Sequence, residues 1–437
     1  MKPKSKFKQT EIGMIPEDWK IKVIGDLVKI NECTINKNYN VADIEYIDTS
    51  SVDKGHLVET QKLKLKEAPS RAKRILKDND ILISTVRPNL KHFFFVEKSK
   101  NNLVGSTGFI VISSKKINPK FLYYYLTTNK YTDFLSSIAD AHTSTYPSFN
   151  PNVIENSFCP YPKEDEQKFI ANILSDLDSK IELNQQMNKV LEEISRAIFK
   201  RWFVDFEFPN EKGNPYKSSG GEMVDSELGE IPKGWKVEKL GDYVETVSGC
   251  SYTSAGLNES KNALVTLKSV GVNGFREEGF KEYTGEYNDK HIVKEGDIVV
   301  AHTDLTQDRI ILGKPVIVRD FGRYKTMIAS MDLSIIKPKR ILNTSYLFYL
   351  LSTDMFHGHA QGYANGTTVI HLSRKAIPEF KYVIPPVHIL DDFNSIIKNV
   401  FNKLRNNDLQ ARTLSQIRDS LLPRLMSGKI MVEINAT

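Results

Sequence analysis

The chain has 437 residues, of which 40% are hydrophobic and 26% charged, a balance typical of globular domains that excludes collagen-like, rod-like and wholly disordered proteins. Its length predicts two or three domains, and its net charge of +6 permits a nucleic-acid partner without requiring one. No apolar run is long enough to span a membrane, and the basic N-terminus lacks the apolar core of a secretory signal. Three widely spaced cysteines indicate a reducing compartment, so we expect a cytoplasmic protein without a structural zinc site.

The chain repeats itself. Residues 11–26 read EIGMIPEDWKIKVIGD, and residues 227–242, which lie 216 positions later, read ELGEIPKGWKVEKLGD. Further matched blocks follow at offsets that drift between 216 and 225, among them KDNDILIS at 77–84 and KEGDIVVA at 294–301. Such drift is expected of short insertions in the loops of a shared scaffold.

Each copy begins with about 160 residues in which short apolar runs alternate with turns, a pattern typical of a mixed α/β domain. The predicted strands are Ile81–Ser84, Phe93–Val96 and Phe109–Ile112 in the first copy, and Ile298–Ala301, Pro315–Val318 and Leu333–Ile336 in the second. A short helix is predicted over 119–128 and again over 344–353.

Each copy ends in a long segment, 164–203 or 389–427, that has no Gly and only one Pro, Pro423. Side chains recur there every seven positions: Ile170, Leu177, Asn184, Leu191 and Ile198 in the first segment, and Phe393, Val400, Asn407, Leu414 and Leu421 in the second. This spacing predicts two helices of about 38 residues, roughly 57 Å long. The alternative is that each helix lies along its own domain.

The side chains that recur every seven positions form one stripe along each helix, called its seam below. Both seams carry an asparagine at the same position, 223 residues apart. A polar residue in a helical seam costs stability but fixes register. We therefore expect the two helices to pair antiparallel, with Asn184 facing Asn407 near the middle.

The predicted fold class is α/β: two tandem mixed α/β domains separated by two long helices that form an antiparallel coiled-coil spacer, with a pseudo-twofold internal repeat. A Pro/Gly/Ser-rich stretch indicates a linker between the copies. The predicted boundaries are 1–163 for the first domain, 164–207 for the first spacer helix, 208–225 for the linker, 226–386 for the second domain and 387–437 for the second spacer helix and tail.

The sequence contains none of the common catalytic constellations. It has no phosphate-binding Gly-rich loop, no dinucleotide fingerprint and no metal-ligand spacing among its nine histidines. Asp80 and Asp297 recur in both copies, but each directly precedes an apolar strand, which indicates a turn. Two diverged copies at a fixed separation instead fit a two-part target such as two DNA half-sites, whose centres lie about 10 base pairs apart. We expect no catalytic residues and no metal in this chain.

The order of the motifs resembles the specificity (S) subunits of type I restriction-modification systems. The resemblance rests on the repeated Ile-Pro-x-x-Trp-x-x-x-x-Leu/Ile-Gly-Asp opening (15–26 and 231–242), on Gly-Asp-Ile-Val-Val at 296–300, on a Pro-x-x-x-Glu-Gln-x-x-Ile helix start at 162–170, and on Phe-x-x-Trp-Phe-Val-Asp-Phe at 199–206. It implies two target-recognition domains that read double-stranded DNA.

The resemblance also implies partner proteins. These are methyltransferase (M) subunits, in two copies, and restriction/translocase (R) subunits. S-adenosylmethionine, ATP and Mg would belong to those partners, and no cofactor to this chain. The chain departs from the family pattern at Asn79, where Gly is frequent, and at the second helix start, 385–392, which lacks the Glu-Gln pair.

The candidate DNA-binding residues lie on loops, because base edges are read by polar side chains that project from a scaffold. The loops at 84–92 and 302–309 occupy matched positions but differ strongly in sequence, and small-polar loops at 141–147 and 362–368 precede the long helices. The candidates are Arg87, Asn89, Lys91, His92, His142, Thr143, Ser144 and Thr145 in the first copy, and Thr306, Gln307, Arg309, Asn365, Thr367 and Thr368 in the second. Arg71, Lys73 and Arg74 form a basic cluster suited to phosphate contacts. The alternative is that these loops only turn the chain.

The predicted function is that of a DNA-specificity subunit that is not an enzyme, reads a bipartite gapped target and scaffolds its partners. Two alternatives stay open. The chain could be the specificity region of a single-chain or fused methyltransferase or restriction enzyme, or a protein-only scaffold built on the helices.

Overall fold

A computed structural model describes residues 6–100, 102–142, 147–271, 274–304, 309–339, 341–367 and 369–430. The chain divides into two compact units. The first comprises Met1–Gln186 together with Asp408–Thr437, and the second is Met187–Asn407. Each unit therefore contains one α/β domain and a part of each long helix.

The first half of the chain contains fourteen strands and four helices within the described residues. They are β1 (Phe7–Thr10), β2 (Gly13–Pro16), β3 (Lys20–Val23), β4 (Val28–Ile30), β5 (Asp43–Ile47), β6 (Val52–Asp53), β7 (His56–Leu57), β8 (Gln61–Lys64), β9 (Ala72–Ile75), β10 (Ile81–Ser84), β11 (Phe93–Phe95), β12 (Leu103–Ser106), β13 (Phe109–Ser114), α1 (Pro119–Leu126), α2 (Asn129–His142), α3 (Pro151–Glu155), β14 (Phe158–Tyr161) and α4 (Glu164–Phe203).

The second half continues the series. Its elements are β15 (Met223–Ser226), β16 (Gly229–Pro232), β17 (Lys236–Lys239), β18 (Val244–Ser248), β19 (Asn262–Val265), β20 (Val270–Gly271), β21 (Gly274–Phe275), β22 (Phe280–Glu282), β23 (Ile292–Val293), β24 (Ile298–Ala301), β25 (Thr303–Asp304), β26 (Pro315–Ile317), β27 (Thr326–Ala329), β28 (Leu333–Pro338), α5 (Thr344–Leu351), α6 (Asp354–Gly362), β29 (Ala364–Asn365), β30 (Ile370–Leu372), β31 (Lys381–Ile384) and α7 (Val387–Met426).

The two domains share one sheet topology. The first domain has sheets of order β11-β10-β13-β4 and β8-β5-β12-β9, and the second has the matching orders β26-β24-β28-β18 and β22-β19-β27-β23. In both domains the second sheet contains one parallel pair, β5 with β12 or β19 with β27. This match confirms the predicted duplication of a mixed α/β domain. The predicted strands and short helices are also present, with ends that differ by at most two residues.

The two repeated tryptophans occupy equivalent buried positions. Each donates its backbone N–H to the carbonyl of the proline that ends a hairpin, Trp19 to Pro16 and Trp235 to Pro232, both at 3.1 Å. Their indole rings differ in surroundings, because Trp19 Nε1 donates to Glu166 Oε2 at 3.1 Å.

In the second domain aromatic packing surrounds the equivalent ring. Phe208 stacks on Trp235 with ring centroids 5.0 Å apart and also on Tyr216 at 4.6 Å. The segment predicted as a linker is thus packed against the domain that follows it.

The repeated aspartates shape turns, as predicted. Asp80 Oδ2 and Asp297 Oδ2 each accept the backbone N–H of the lysine three residues earlier, at 2.8 Å. The residue before each aspartate is left-handed, Asn79 with φ 66° and Gly296 with φ 93°. Asparagine tolerates this conformation better than most residues with a side chain, which explains how Asn79 replaces a glycine.

The long helices start differently in the two copies. Gln167 is buried and holds the start of α4, since its side chain accepts from the backbone N–H of Asn118 at 2.9 Å and donates to the carbonyl of Pro162 at 2.9 Å. The equivalent residue in α7 is Leu390, which is fully buried. Apolar packing of Leu390 therefore replaces the hydrogen bonds of Gln167 at the second helix start, where the Glu-Gln pair is missing.

Helices α4 and α7 each have 40 residues, close to the predicted bounds, and α7 continues through Pro423. A proline there removes one hydrogen bond near the end of the helix, where the loss disturbs little of the ladder. Four of the ten seam residues (Ile170, Asn184, Phe393 and Asn407) are buried, and the other six are half-buried.

The helices run antiparallel within each unit. In the first unit Arg418 Nη1 donates to Asp178 Oδ1 at 2.7 Å, and Asn184 Nδ2 donates to Gln410 Oε1 at 3.0 Å. Residue numbers therefore increase along α4 in the direction in which they decrease along α7. The outer ends of the helices also enter the domain cores, as with Ile170 and Leu174. The helices therefore both pair with each other and lie along the domains.

The second unit shows the same direction. Asn407 Nδ2 donates to Asn188 Oδ1 at 2.8 Å, and farther along α4 Phe199 lies 5.8 Å from Phe393 between ring centroids. The expected direct pairing of Asn184 with Asn407 is wrong. Each asparagine bonds another polar residue of the opposite helix, because packing of the helix ends sets a register that places Gln410 and Asn188 opposite the two asparagines.

Candidate nucleic-acid interface

Backbone hydrogen bonds join the loop after β10 to a neighbouring segment. Arg87 (φ 49°) and Lys91 (φ 58°) are left-handed and flank a single 3₁₀ turn, Pro88–Leu90. The backbone N–H of Arg87 donates to the carbonyl of Pro147 at 2.8 Å, and Val86 forms a bridge with Ser148. This loop and the flank of the 141–147 loop are therefore neighbours.

The side chains of this loop divide into two groups. Arg87 and Asn89 are exposed, whereas Lys91 is half-buried and its Nζ donates to Asn129 Oδ1 at 2.6 Å. His92 is half-buried, and its carbonyl accepts the backbone N–H of Ser84 at 2.9 Å, which extends the strand pairing. Arg87 and Asn89 are thus the more exposed of the four candidates in this loop.

The basic cluster divides in the same way. Arg71 and Lys73 are exposed at and beside edge strand β9. Arg74 is half-buried, its Nη1 lies 3.4 Å from Thr34 Oγ1, and burial lowers the pKa of its guanidinium. Arg74 is therefore held by the domain, and Arg71 and Lys73 are better placed for phosphate contacts.

One turn joins these segments. Between β12 and β13, the backbone N–H of Thr107 donates to the carbonyl of Arg71 at 2.8 Å, and the carbonyl of Gly108 accepts from the backbone N–H of Thr85 at 2.9 Å. The backbone N–H of Phe149 in turn donates to the carbonyl of Thr85 at 3.1 Å. Arg71, the Arg87 loop and the flank of the 141–147 loop thus meet at one end of the first domain.

Three candidates of the 141–147 loop, Thr143, Ser144 and Thr145, lie outside the described residues. His142 ends helix α2, and its side chain is also outside the described part.

The second domain builds the corresponding end from a small sheet. Strand β30 pairs with both β25 and β29, so His371 lies opposite Thr303 and opposite Asn365. Asn365 and Thr367 are exposed. The loops that carry the candidates at 302–309 and 362–368 are therefore brought together.

The base of the 302–309 loop is fixed by a buried carboxylate. Asp304 Oδ2 accepts the backbone N–H groups of Ile311 at 2.8 Å and Leu312 at 3.1 Å. Arg309 is left-handed (φ 53°) and half-buried, and its carbonyl accepts from Gln361 Nε2 at 3.2 Å. Thr306, Gln307 and Thr368 lie outside the described residues.

The sequence interpretation missed residues on the turns and strands that support these loops. Thr107 and Gly108 have a counterpart in Asp332, whose carbonyl accepts the backbone N–H of His302 at 2.7 Å. His371 and Arg374 are exposed beside the same loop. Burial, together with the positive charges of Arg374 and His371, lowers the pKa of His302 below its usual value. The sequence signal that could have indicated the turn at Thr107 and Gly108 is the change of repeat offset between strands β10 and β13.

Within the described residues no cluster of three His, Cys, Asp or Glu side chains could hold a metal ion. In that same part of the chain, every helix is too short or too polar to serve as a membrane span.

A duplicated α/β domain with different loops in its two copies, together with two long helices, defines a class of two-domain proteins with an internal repeat. Residues 16–193 match the type I restriction modification DNA specificity domain. The chain is 30% identical to the type I restriction enzyme MjaIX specificity subunit of Methanocaldococcus jannaschii over 98% of its length and 97% of the relative. It is 23% identical to the HindI specificity subunit of Haemophilus influenzae over 94% of its length and the whole relative. The chain belongs to the family of type I restriction enzyme specificity subunits.

A solved structure supports the fold assignment. The S subunit of the type I restriction-modification system of M. genitalium superposes with a TM-score of 0.56 at 15% identity, over 93% of this chain and 96% of that one. At this identity the likeness shows a shared fold.

Proposed function

We propose that the chain reads a bipartite, gapped double-stranded DNA target, with one domain on each half-site and the paired helices as the spacer. The observation that carries this proposal is the duplication itself. One sheet topology occurs twice, yet the loop after β10 exposes Arg87 and Asn89 while its counterpart after β24 is built around Asp304. Two related domains with different loops suit two different half-sequences.

We further propose that the chain scaffolds two methyltransferase subunits and the restriction/translocase subunits, and works in the cytoplasm. S-adenosylmethionine, ATP and Mg would be bound by those partners, so the chain itself carries out no catalysis. The family membership supports this assignment of roles.

Sequence-selective binding tests the proposal. The chain, assembled with its methyltransferase subunits, is titrated with duplexes that carry the target and with duplexes scrambled in one half-site. We expect each scrambled half-site to weaken binding by at least the cost of one mismatched pair, about 1–3 kcal/mol. Equal affinity for all duplexes would instead favour a protein-only scaffold.

A second assay tests the absence of catalysis. The purified chain alone is incubated with labelled S-adenosylmethionine and target DNA, and the assembled complex serves as the positive control. We expect label in the DNA only with the complex. Methyl transfer by the chain alone would make it the specificity region of a single-chain methyltransferase.

A further inference from the structure

Helix α1 of the first domain contacts the long helices through a charged network. Tyr124 is buried, and its hydroxyl donates to Asp178 Oδ2 at 2.7 Å. Arg418 of α7 donates to the other carboxylate oxygen of Asp178 at 2.7 Å. The side chains of Asp178 and Arg418 are only 33% and 24% exposed, so one partly buried carboxylate joins a domain helix to both long helices.

The equivalent place in the second domain has different chemistry. The offsets of the repeat (225 and 223) match Tyr124 with Tyr349, Asp178 with Phe401 and Arg418 with Ser195. There Tyr349 stacks on Phe401, with ring centroids 6.2 Å apart and an interplanar angle of 27°, and the buried Ser195 hydroxyl donates to the carbonyl of Leu191 in its own helix at 2.9 Å. A ring contact has replaced the ion pair.

The two kinds of contact hold a domain in different ways. Hydrogen bonds to a carboxylate are directional and are stronger than neutral ones, so they fix both the position and the rotation of the helix that donates them. Aromatic pairs favour an offset-stacked or edge-to-face geometry but involve no hydrogen bond to a charged group. Removing the Asp178 charge would also leave the half-buried Arg418 with Asp419 as its only ion-pair partner among the described residues.

We propose that Asp178 is a positioning residue: it holds the first recognition domain on the long helices at the orientation required to read its half-site. In the second domain the matched positions make a ring contact instead of an ion pair, beside a neutral hydrogen bond from Ser345 Oγ to Asn394 Oδ1 of α7 at 3.2 Å. This inference rests on the proposed function. It predicts that loss of the network impairs one half-site and relaxes the spacer length, while the other half-site is still read.

The experiment uses the chain assembled with its methyltransferase subunits. A crosslinker on Arg71→Cys first assigns the half-site of the first domain. Binding is then measured for Asp178→Asn and Tyr124→Phe on the target, on duplexes mismatched in either half-site, and on a duplex with one base pair added to the spacer. Tyr349→Phe is the matched control, because it removes the equivalent hydroxyl from the second domain.

We expect Asp178→Asn to lower discrimination at the first half-site about tenfold, the effect of one hydrogen bond to a charged group, and to leave discrimination at the second half-site within about twofold. Asp178→Asn should also reduce the loss of affinity that one added spacer base pair causes in the wild-type complex. Tyr124→Phe should act in the same direction, and the double variant should be no worse than Asp178→Asn, because the two residues belong to one network. If Asp178→Asn does not assemble, Tyr124→Phe, which keeps the ring, carries the same expectation.

Three results would overturn the proposal: equal losses at both half-sites, an unchanged spacer penalty, or the same first-half-site loss in Tyr349→Phe. A wild-type complex without any sequence selectivity would instead refute the proposed function, so the two failures can be told apart.

Discussion

At the scale of single residues, the loop after β10 combines exposed side chains with half-buried ones. Arg87 and Asn89 are exposed, and Arg87 has a left-handed backbone with φ 49°. Lys91 is committed to Asn129. Residues that are adjacent in sequence therefore have different roles, and alanine substitutions should separate them.

The first prediction concerns these side chains. Replacing Arg87, Asn89 and Lys91 together by alanine should weaken recognition of one half-site and leave the other readable. A bidentate base contact is worth about 1–3 kcal/mol of discrimination, whereas a lost phosphate contact weakens binding to all sequences alike. Equilibrium binding of the assembled complex to half-site variants measures the difference.

The single variant Lys91→Ala is the control for this experiment. Because its Nζ donates to Asn129, it should lower stability with little change in discrimination. A uniform loss of affinity on every duplex for the triple variant would mean that these side chains contact only the DNA backbone.

The second prediction concerns a buried carboxyl. Burial raises the pKa of Asp80 above its usual value, although the hydrogen bonds from Ser113 and from the backbone of Lys77 oppose the rise. A raised pKa in the folded state means that stability is greatest when the group is protonated and falls as the pH rises through that pKa. The wild-type free energy of unfolding, relative to that of Asp80→Asn, should therefore decrease as the pH rises above about 4, the usual pKa of an aspartate.

Urea unfolding of both proteins across that range measures the effect. Asp297→Asn removes the charge from the equivalent turn of the second domain, where the carboxyl is only half-buried, and so serves as the control. A wild-type free energy of unfolding that rises with pH relative to that of Asp80→Asn would contradict the raised pKa of Asp80.

At the scale of elements, the long helices combine two kinds of packing. Their outer ends are part of the domain cores, and their inner parts are joined by amide pairs, Asn184 with Gln410 and Asn188 with Asn407. Buried amides fix register because each must meet a partner on the opposite helix. Each amide pair lies within one unit and fixes the register of the two helices there, as the proposed spacer role of the helices requires.

The third prediction tests this role. Four residues inserted into both helices, after Gln186 and after Asn407, add about 6 Å to each and rotate the outer seam by about 40°. The packing should survive with strain. The unread spacer of the target should lengthen by one to a few base pairs while both half-sequences stay the same, as measured by methylation mapping.

An insertion into α4 alone is the matched control, since it breaks the amide register without lengthening both helices. If the double insertion changes the bases that are read and leaves the spacer untouched, the helices do not set the spacing.

At the scale of the whole molecule, the duplication has consequences for the target. The two domains share a topology but differ in loops, in the packing of their tryptophans and in the contact between domain helix and long helix. Such divergence favours an asymmetric target with two different half-sequences.

The fourth prediction follows. Methylation mapping of a genome that expresses this chain with its methyltransferase should give one gapped motif with two unlike half-sequences, whose centres lie about 10 base pairs apart. Expression of the methyltransferase alone is the control and should give no such motif. A continuous motif would contradict the two-domain proposal.

Much of the fold could be predicted because its signals are local. The strand order repeats because apolar runs and turn residues recur at matched positions, and turns such as the one at Asp80 use a side chain that bonds its own neighbourhood. The segments predicted to be helical, 164–203 and 389–427, agree to within two residues with Glu164–Phe203 and Val387–Met426, since a seven-residue spacing without glycine favours a continuous helix. The sequence by itself thus determined the duplication, the domain class and the length of the helices.

The tertiary structure alone decided which residues meet. Backbone hydrogen bonds bring Arg71, Thr85 and Pro147 to one end of the first domain, although up to 76 positions separate them. Every residue has a backbone carbonyl and every residue except proline a backbone N–H, so no sequence pattern marks such a pairing. In the same way Gln410 instead of Asn407 became the partner of Asn184. The helix register depends on how the helix ends pack into the domain cores, and that packing sums many weak contacts that no local signal records.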